Sequence, residues 1–112
     1  MSEHSVVPVS VVIPCFKCAK TIGRAVASVA EQTSLPAEVI LVEDGSADET
    51  LTVLQRIAAQ YQPGWIRVVA LPENLGAASA RNIGWSTATQ EYVALLDSDD
   101  SWHSCKIQHQ YQ

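Results

Sequence analysis

The sequence predicts an α/β domain, with a parallel β-sheet flanked by helices. Four apolar runs rich in β-branched residues recur along the 112-residue chain: residues 9–14 (VSVVIP), 37–44 (AEVILVED), 65–71 (WIRVVAL) and 91–97 (EYVALLD). Between them apolar residues return at helical spacing. The runs are continuous rather than alternating, as expected of strands covered on both faces, and strands that alternate with helices imply parallel pairing through right-handed crossovers.

Each element follows from local chemistry. The first strand, residues 9–14, leads to a helix over residues 20–31, where Ile22, Val26, Val29 and Ala30 share a face. The segment Thr33-Ser34-Leu35-Pro36 breaks that pattern. After the second strand, Ser46-Ala47-Asp48-Glu49 fits a capping box, and Leu51, Leu54, Ile57, Ala58 and Tyr61 mark the next helix face. Gln62-Pro63-Gly64 ends it. The third strand gives way to a loop at residues 72–76 and a weaker helix at residues 77–88, interrupted by Gly84. The fourth strand follows, and residues 101–112 begin a further helix. Residues 1–8 read as a tail and residues 9–112 as one Rossmann-like domain.

Composition narrows the function. With 47% hydrophobic and 17% charged residues, the chain has the make-up of a soluble core. It contains no apolar run of the roughly 20 residues that would span a bilayer. The start, Met-Ser-Glu-His-Ser, lacks the features of a signal peptide. The expected location is therefore cytoplasmic, with membrane association of a longer protein left open. Twelve acids against seven Lys and Arg give a net charge of −5, which argues against a nucleic-acid partner. Three cysteines do not make a disulfide framework.

In open α/β sheets ligands bind beyond the carboxyl ends of the strands. Three of the four ends carry chemistry here. Asp97, Asp99 and Asp100 crowd into four positions. Two carboxylates at about 4 Å repel by about 1 kcal/mol even in water. Capping the next helix would need one acid, not three, and an EF-hand loop would need Gly where Trp102 stands. The acids fit a site for a hard divalent cation, Mg²⁺ or Mn²⁺, which takes carboxylate and phosphate oxygens. At the second strand end, Gly45 suits a tight turn and Ser46 a helix cap, leaving Glu43 and Asp44 at the rim, where a carboxylate can accept hydrogen bonds from a ligand. Arg81 is either an exposed helix residue or a partner for phosphate. Cys15 and Cys18 form a C-x-x-C between strand and helix. Pro14 occupies the place of the usual aromatic neighbour, which weighs against a thioredoxin-type dithiol. Cys105, His103 and His109 pair with them at no convincing zinc spacing.

Taken together, the segments VSVVIPCFKCAKTI, AEQTSLPAEVILVEDGSADET and NLGAASARNIGWSTATQEYVALLDSDDSW resemble the nucleotide-sugar-binding half of family 2 glycosyltransferases of the GT-A fold. The resemblance implies that Pro14, Cys15 and Phe16 line the pocket for the base and that Asp44 hydrogen-bonds it. Arg81 would lie near base or phosphates. Asp97-Ser98-Asp99 would be the DxD motif, with one acid reaching the ribose or a metal-bound water and another binding the cation; the implied metal set is Asp97 and Asp99, with either Asp99 or Asp100 as the direct ligand. The implied donor is a nucleotide-diphosphate sugar, with uridine the family's commonest base. The implied reaction is inverting transfer to a carbohydrate or lipid-linked acceptor. Lys17 stands where the family often has Asn, so base recognition is expected to differ in detail.

No residue after Asp100 offers itself as the catalytic base, and KIQHQYQ carries no helix stop. The expectation is a domain truncated at its C-terminus that binds donor weakly, transfers little sugar and self-associates through an exposed sheet edge. Two other readings are a non-catalytic nucleotide-binding domain and a phosphatase of the haloacid dehalogenase type, whose DxD normally sits on an early strand.

Overall fold

The structure, a computed structural model, describes residues 5–102 and 106–107. Its elements are β1 (Ser5–Cys15), α1 (Ile22–Ala30), β2 (Ser34–Glu43), α2 (Thr50–Ala59), β3 (Ile66–Ala70), α3 (Ala77–Thr87) and β4 (Tyr92–Leu95). All strand pairs are parallel, in the order β3-β2-β1-β4. The first two crossovers progress in one direction. The third returns past β1, so the chain reverses between β1 and β4 and opens a crevice there.

The two-residue period of the strands sorts side chains between the faces. Val11, Ile13, Val39 and Leu41 pack with Ile22, Ala25, Val26, Val29, Leu54 and Ile57 from α1 and α2. Val12, Ile40 and Val42 face the other way, against Ala80 of α3. Each large aliphatic side chain buried in this way contributes roughly 1.5–3 kcal/mol. Double coverage explains why β1 and β2 read as unbroken apolar runs.

Gly84 does not interrupt α3. It is the point where the helix meets the sheet: a Cβ there would lie 2.3 Å from Val12 Cγ1 and 3.2 Å from Val42 Cγ2. The residue that weakens the helical pattern is the one that lets the helix dock.

Several boundaries differ from the sequence reading, that of β2 among them, which starts at Ser34 rather than at residue 37. Strand β1 starts at Ser5, inside the stretch read as a tail, because residues 5–7 pair with residues 34–36. Pro36 belongs to the segment that breaks the helical pattern, and Pro8 to the stretch read as a tail. They are accommodated because the register shifts between Val7 and Ser10, and because β3 pairs with β2 only from Val39 onward. The capping box at Ser46 does not form. Helix α2 begins at Thr50, whose N–H is bonded by Asp48 Oδ1 at 2.8 Å, while Ser46 Oγ accepts the N–H of Lys17 at 2.8 Å. Of the helix expected over residues 101–112, Lys106 and Ile107 are helical, and residues 103–105 and 108–112, with Cys105, His103 and His109, lie outside the described residues.

A buried polar knot ties the opposite edge. Glu38 Oε2 accepts from Ser10 Oγ (2.6 Å), Thr89 N (2.7 Å) and Thr89 Oγ1 (2.8 Å), and its Oε1 meets Arg67 Nη1 at 3.3 Å. Burial works against the charge of Glu38, but these hydrogen bonds outweigh it and hold the carboxyl below its ordinary range. The knot sets the loop that feeds β4 into the sheet.

Candidate functional site

The crevice at the carboxyl ends of β1, β2 and β4 encloses about 570 Å³. Pro14, Cys15 and Phe16 enter it from the end of β1, Asp44 from the end of β2, Arg81 from α3, and Asp97 and Asp99 from the loop after β4. Lys17, Cys18, Thr21, Asn74, Gly76, Ala77 and Ser98 complete its wall. The cleft thus brings together every residue that the family resemblance implies except Asp100, which adjoins Asp99 outside the lining. A second hollow of about 500 Å³, around Pro36, Tyr61 and Trp65 near the other end of the sheet, presents no charged side chain.

Asp97, Asp99 and Asp100 are exposed, and one carboxylate oxygen from each falls within 4.8 Å of the others. Among the described residues none of the three has an ion-pair partner. The loop is nonetheless held firmly. Asp100 N–H bonds Asp97 O at 3.0 Å, Arg24 Nη2 donates to Asp99 O at 3.1 Å, and Trp102 N–H donates to Ser28 Oγ at 3.0 Å. A hard, oxygen-only donor set, unpaired and held by backbone contacts, fits a divalent cation.

The acids after β2 behave differently from the sequence reading. Glu43 is buried, and its two oxygens accept the N–H groups of Gly45 (3.2 Å) and Ser46 (2.8 Å). It builds the turn and does not line the cleft. Gly45 is required there: its φ is +63°, and a Cβ would meet the Glu73 carbonyl carbon at 2.3 Å. Asp44 is 2% exposed and lines the cleft, but most of its capacity is already used. Oδ1 accepts Leu75 N–H at 2.8 Å, and Oδ2 accepts Gly76 N–H and Asn74 Nδ2, both at 3.1 Å. Two oxygens carry about four acceptor sites, so about one remains open toward a ligand.

Cys15 and Cys18 sit side by side at the floor. The hydrogen bond with Cys18, then burial, pushes the Cys15 thiol well up. The same bond and another from Ser98 bring Cys18 below the usual thiol range against its burial. Cys18 O accepts the N–H groups of Thr21 and Ile22, both at 3.0 Å, which starts α1.

Sequence reasoning missed Arg24, Ser28 and Gln32, which anchor the acidic loop and the segment after it. Gln32 Oε1 accepts Ile107 N–H at 2.9 Å. Their four-residue spacing on one side of a largely apolar helix was the available signal. Asn74 and Gly76 left no such mark, because their partner Asp44 lies about 30 residues earlier.

A four-stranded parallel sheet with helices on both faces and an acid-rimmed cleft at its carboxyl edge is the architecture of GT-A glycosyltransferases. Staphylococcus aureus TarS, solved as residues 1–349 with UDP-GlcNAc, superposes with a TM-score of 0.81 at 28% identity, covering 94% of this chain and 30% of that one. The mannosyltransferase PcManGT from Pyrobaculum calidifontis, solved with GDP-Man and Mn²⁺, gives 0.77 at 30% identity over 85% of this chain and 28% of that one. The chain belongs to glycosyl transferase family 2, whose family model matches residues 10–112. Among curated relatives it is 42% identical over 106 residues to the putative teichuronic acid biosynthesis glycosyltransferase TuaG of Bacillus subtilis. It is 36% identical over 104 residues to the Escherichia coli UDP-Glc:alpha-D-GlcNAc-diphosphoundecaprenol beta-1,3-glucosyltransferase WfaP. These matches cover 93% and 91% of the chain but 40% and 39% of the relatives' lengths.

Proposed function

We propose that this chain binds the nucleotide-diphosphate sugar of a metal-dependent, inverting glycosyl transfer. The observation that carries the reading is the convergence of Phe16, Asp44, Arg81, Asp97 and Asp99 on one cleft from elements far apart in sequence. Pro14, Cys15 and Phe16 flank the base, and the remaining acceptor site of Asp44 takes one of its N–H groups. Asp97 serves the ribose side, and Arg81 meets the phosphates with its planar guanidinium. Asp99, with Asp97 or Asp100, would hold Mn²⁺ or Mg²⁺, a group that would supply Lewis-acid stabilisation of the diphosphate leaving group. Uridine is the proposed base, in keeping with the UDP-sugars named for TarS and WfaP.

Glu43 is not assigned as the base that deprotonates the acceptor, since it is buried, bonded to the turn and outside the cleft lining. The acceptor, carbohydrate or lipid-linked, and the base are assigned to parts of the relatives' length that this chain does not span. No helix among the described residues is long and apolar enough to cross a membrane. Titration calorimetry with UDP and GDP, with and without Mn²⁺, tests the reading. Metal-dependent binding of UDP, lost in Asp99→Ala, is expected. Binding that ignores both metal and substitution overturns it.

A further inference from the structure

The donor-binding reading uses Cys15 only as part of the wall beside the base and gives the sulfurs of Cys15 and Cys18 no chemical task. Both cysteines are free, both line the cleft, and both belong to the core cluster that packs α1 on the sheet. Two residues separate them. That short link is held in one shape, since Lys17 has a φ of +51° and its N–H is fastened to Ser46 Oγ at 2.8 Å. Cys15 is fully buried and Cys18 is 5% exposed, so a small molecule entering the cleft meets Cys18 first.

We propose that Cys15 and Cys18 form a reversible redox-modification site, which a hydroperoxide closes into a disulfide that weakens ligand binding in the adjoining cleft. The sulfur of Cys18 attacks one peroxide oxygen. An S–O bond forms, the O–O bond breaks, and the departing hydroxide leaves as water with the proton from Cys18. The sulfur of Cys15 then attacks Cys18, the S–S bond forms, the S–O bond breaks, and the hydroxide departs as a second water with the proton from Cys15. Two thiols lose two electrons and the peroxide gains them. A dithiol reductant reverses the change.

The coupling to the cleft runs through Ser98, between Asp97 and Asp99. In the reduced chain Cys18 and Ser98 line the same cleft, and Ser98 helps draw the Cys18 thiol below its usual range. Binding the Cys18 sulfur to Cys15 takes it away from Ser98 and loosens the contact between the strand-end loop and the acidic loop. This half of the proposal rests on the donor-binding reading; the disulfide itself does not.

Trypsin provides a direct readout, because it cuts after Lys17, between the two cysteines. The chain is treated with hydrogen peroxide, blocked with a maleimide and digested. The expected product is peptide 1–17 joined to peptide 18–20, absent from Cys18→Ser and from samples first treated with dithiothreitol. Calorimetry on the oxidised chain is expected to give UDP–Mn²⁺ affinity about two- to tenfold weaker, the range for one lost hydrogen bond. Two separate peptides, or linkage mainly to Cys105, overturn the site. Linked peptides with unchanged affinity overturn the coupling. Failure of the reduced chain to bind UDP at all overturns the donor reading and the coupling, while the peptide result still decides the disulfide.

Discussion

The Asp44 carboxylate accepts the backbone N–H of Leu75, 31 residues further along the chain, at 2.8 Å. With the bonds to Asn74 and Gly76 it fastens the start of α3 to the end of β2, so a residue read as a ligand contact is also a clasp. Asp44→Asn would turn one acceptor oxygen into a donor facing N–H groups. The expected loss is about 1–3 kcal/mol, the penalty for stranding a buried polar group, read as a lower urea midpoint with unchanged slope.

Gly84→Ala separates propensity from packing. Alanine raises intrinsic helix stability by about 1 kcal/mol, yet its methyl would collide with Val12 Cγ1. Overpacking of this kind costs about 1–3 kcal/mol, so net destabilisation is expected. Because the tightest approach is to Val12, with Val42 next at 3.2 Å, Val12→Ala in the same chain should recover part of it. A double-mutant cycle by chemical denaturation reads the coupling.

Glu38 gives a pH dependence. Its carboxyl is held below the ordinary range in the folded state, so it contributes stability that is fully present above the unfolded pKa of about 4.3. That contribution is lost as pH falls through the lower, folded value. Urea unfolding from pH 7 down to pH 3 should show this fall, and Glu38→Gln should reduce its steepness while lowering stability at pH 7.

Asp97, Asp99 and Asp100 repel one another whenever no cation lies among them. Asp100→Asn is therefore expected to raise the melting temperature slightly in EDTA and to shrink the further rise produced by Mn²⁺. Thermal melts of both chains, with metal and with chelator, measure the two effects separately. A smaller Mn²⁺ shift without the gain in EDTA would show that the repulsion is already relieved by solvent.

Among the described residues strand β4 is paired on one side, and it presents Tyr92 and Leu95, 49% and 43% exposed, in one hollow with Trp85 at 57%. An apolar strand edge is a template for pairing with another chain. Sedimentation should show concentration-dependent association of this chain, abolished by Leu95→Lys.

What the sequence made legible is what short-range pattern encodes. Val11 to Ile13 and Val39 to Val42 are buried on both faces, so their strands stand out without any knowledge of partners. The acids after β4 are legible because crowding is local. Ser46 misled because its hydroxyl had two possible uses, and the nearer one in sequence lost to Lys17. Glu38 was hidden inside an apolar run, and its partners lie 28 to 51 residues away. Asp44 was placed at the rim that lines the cleft, but its structural bonds were not foreseen, since nothing local announces Leu75.

Arg24, Ser28 and Gln32 follow one another at four-residue steps along α1 and just past its end, and they hold Asp99, Trp102 and Ile107 in the same order. The helix therefore acts as a measuring rod laid beside the chain as it leaves the sheet. A single residue inserted before Arg24 would swing all three marks by about 100° around the axis. The apolar face could re-seat itself on the sheet by slipping, but the acidic loop would lose its gauge. Tolerance to insertion should thus differ sharply between α1 and α2, although both cover the same face of the sheet.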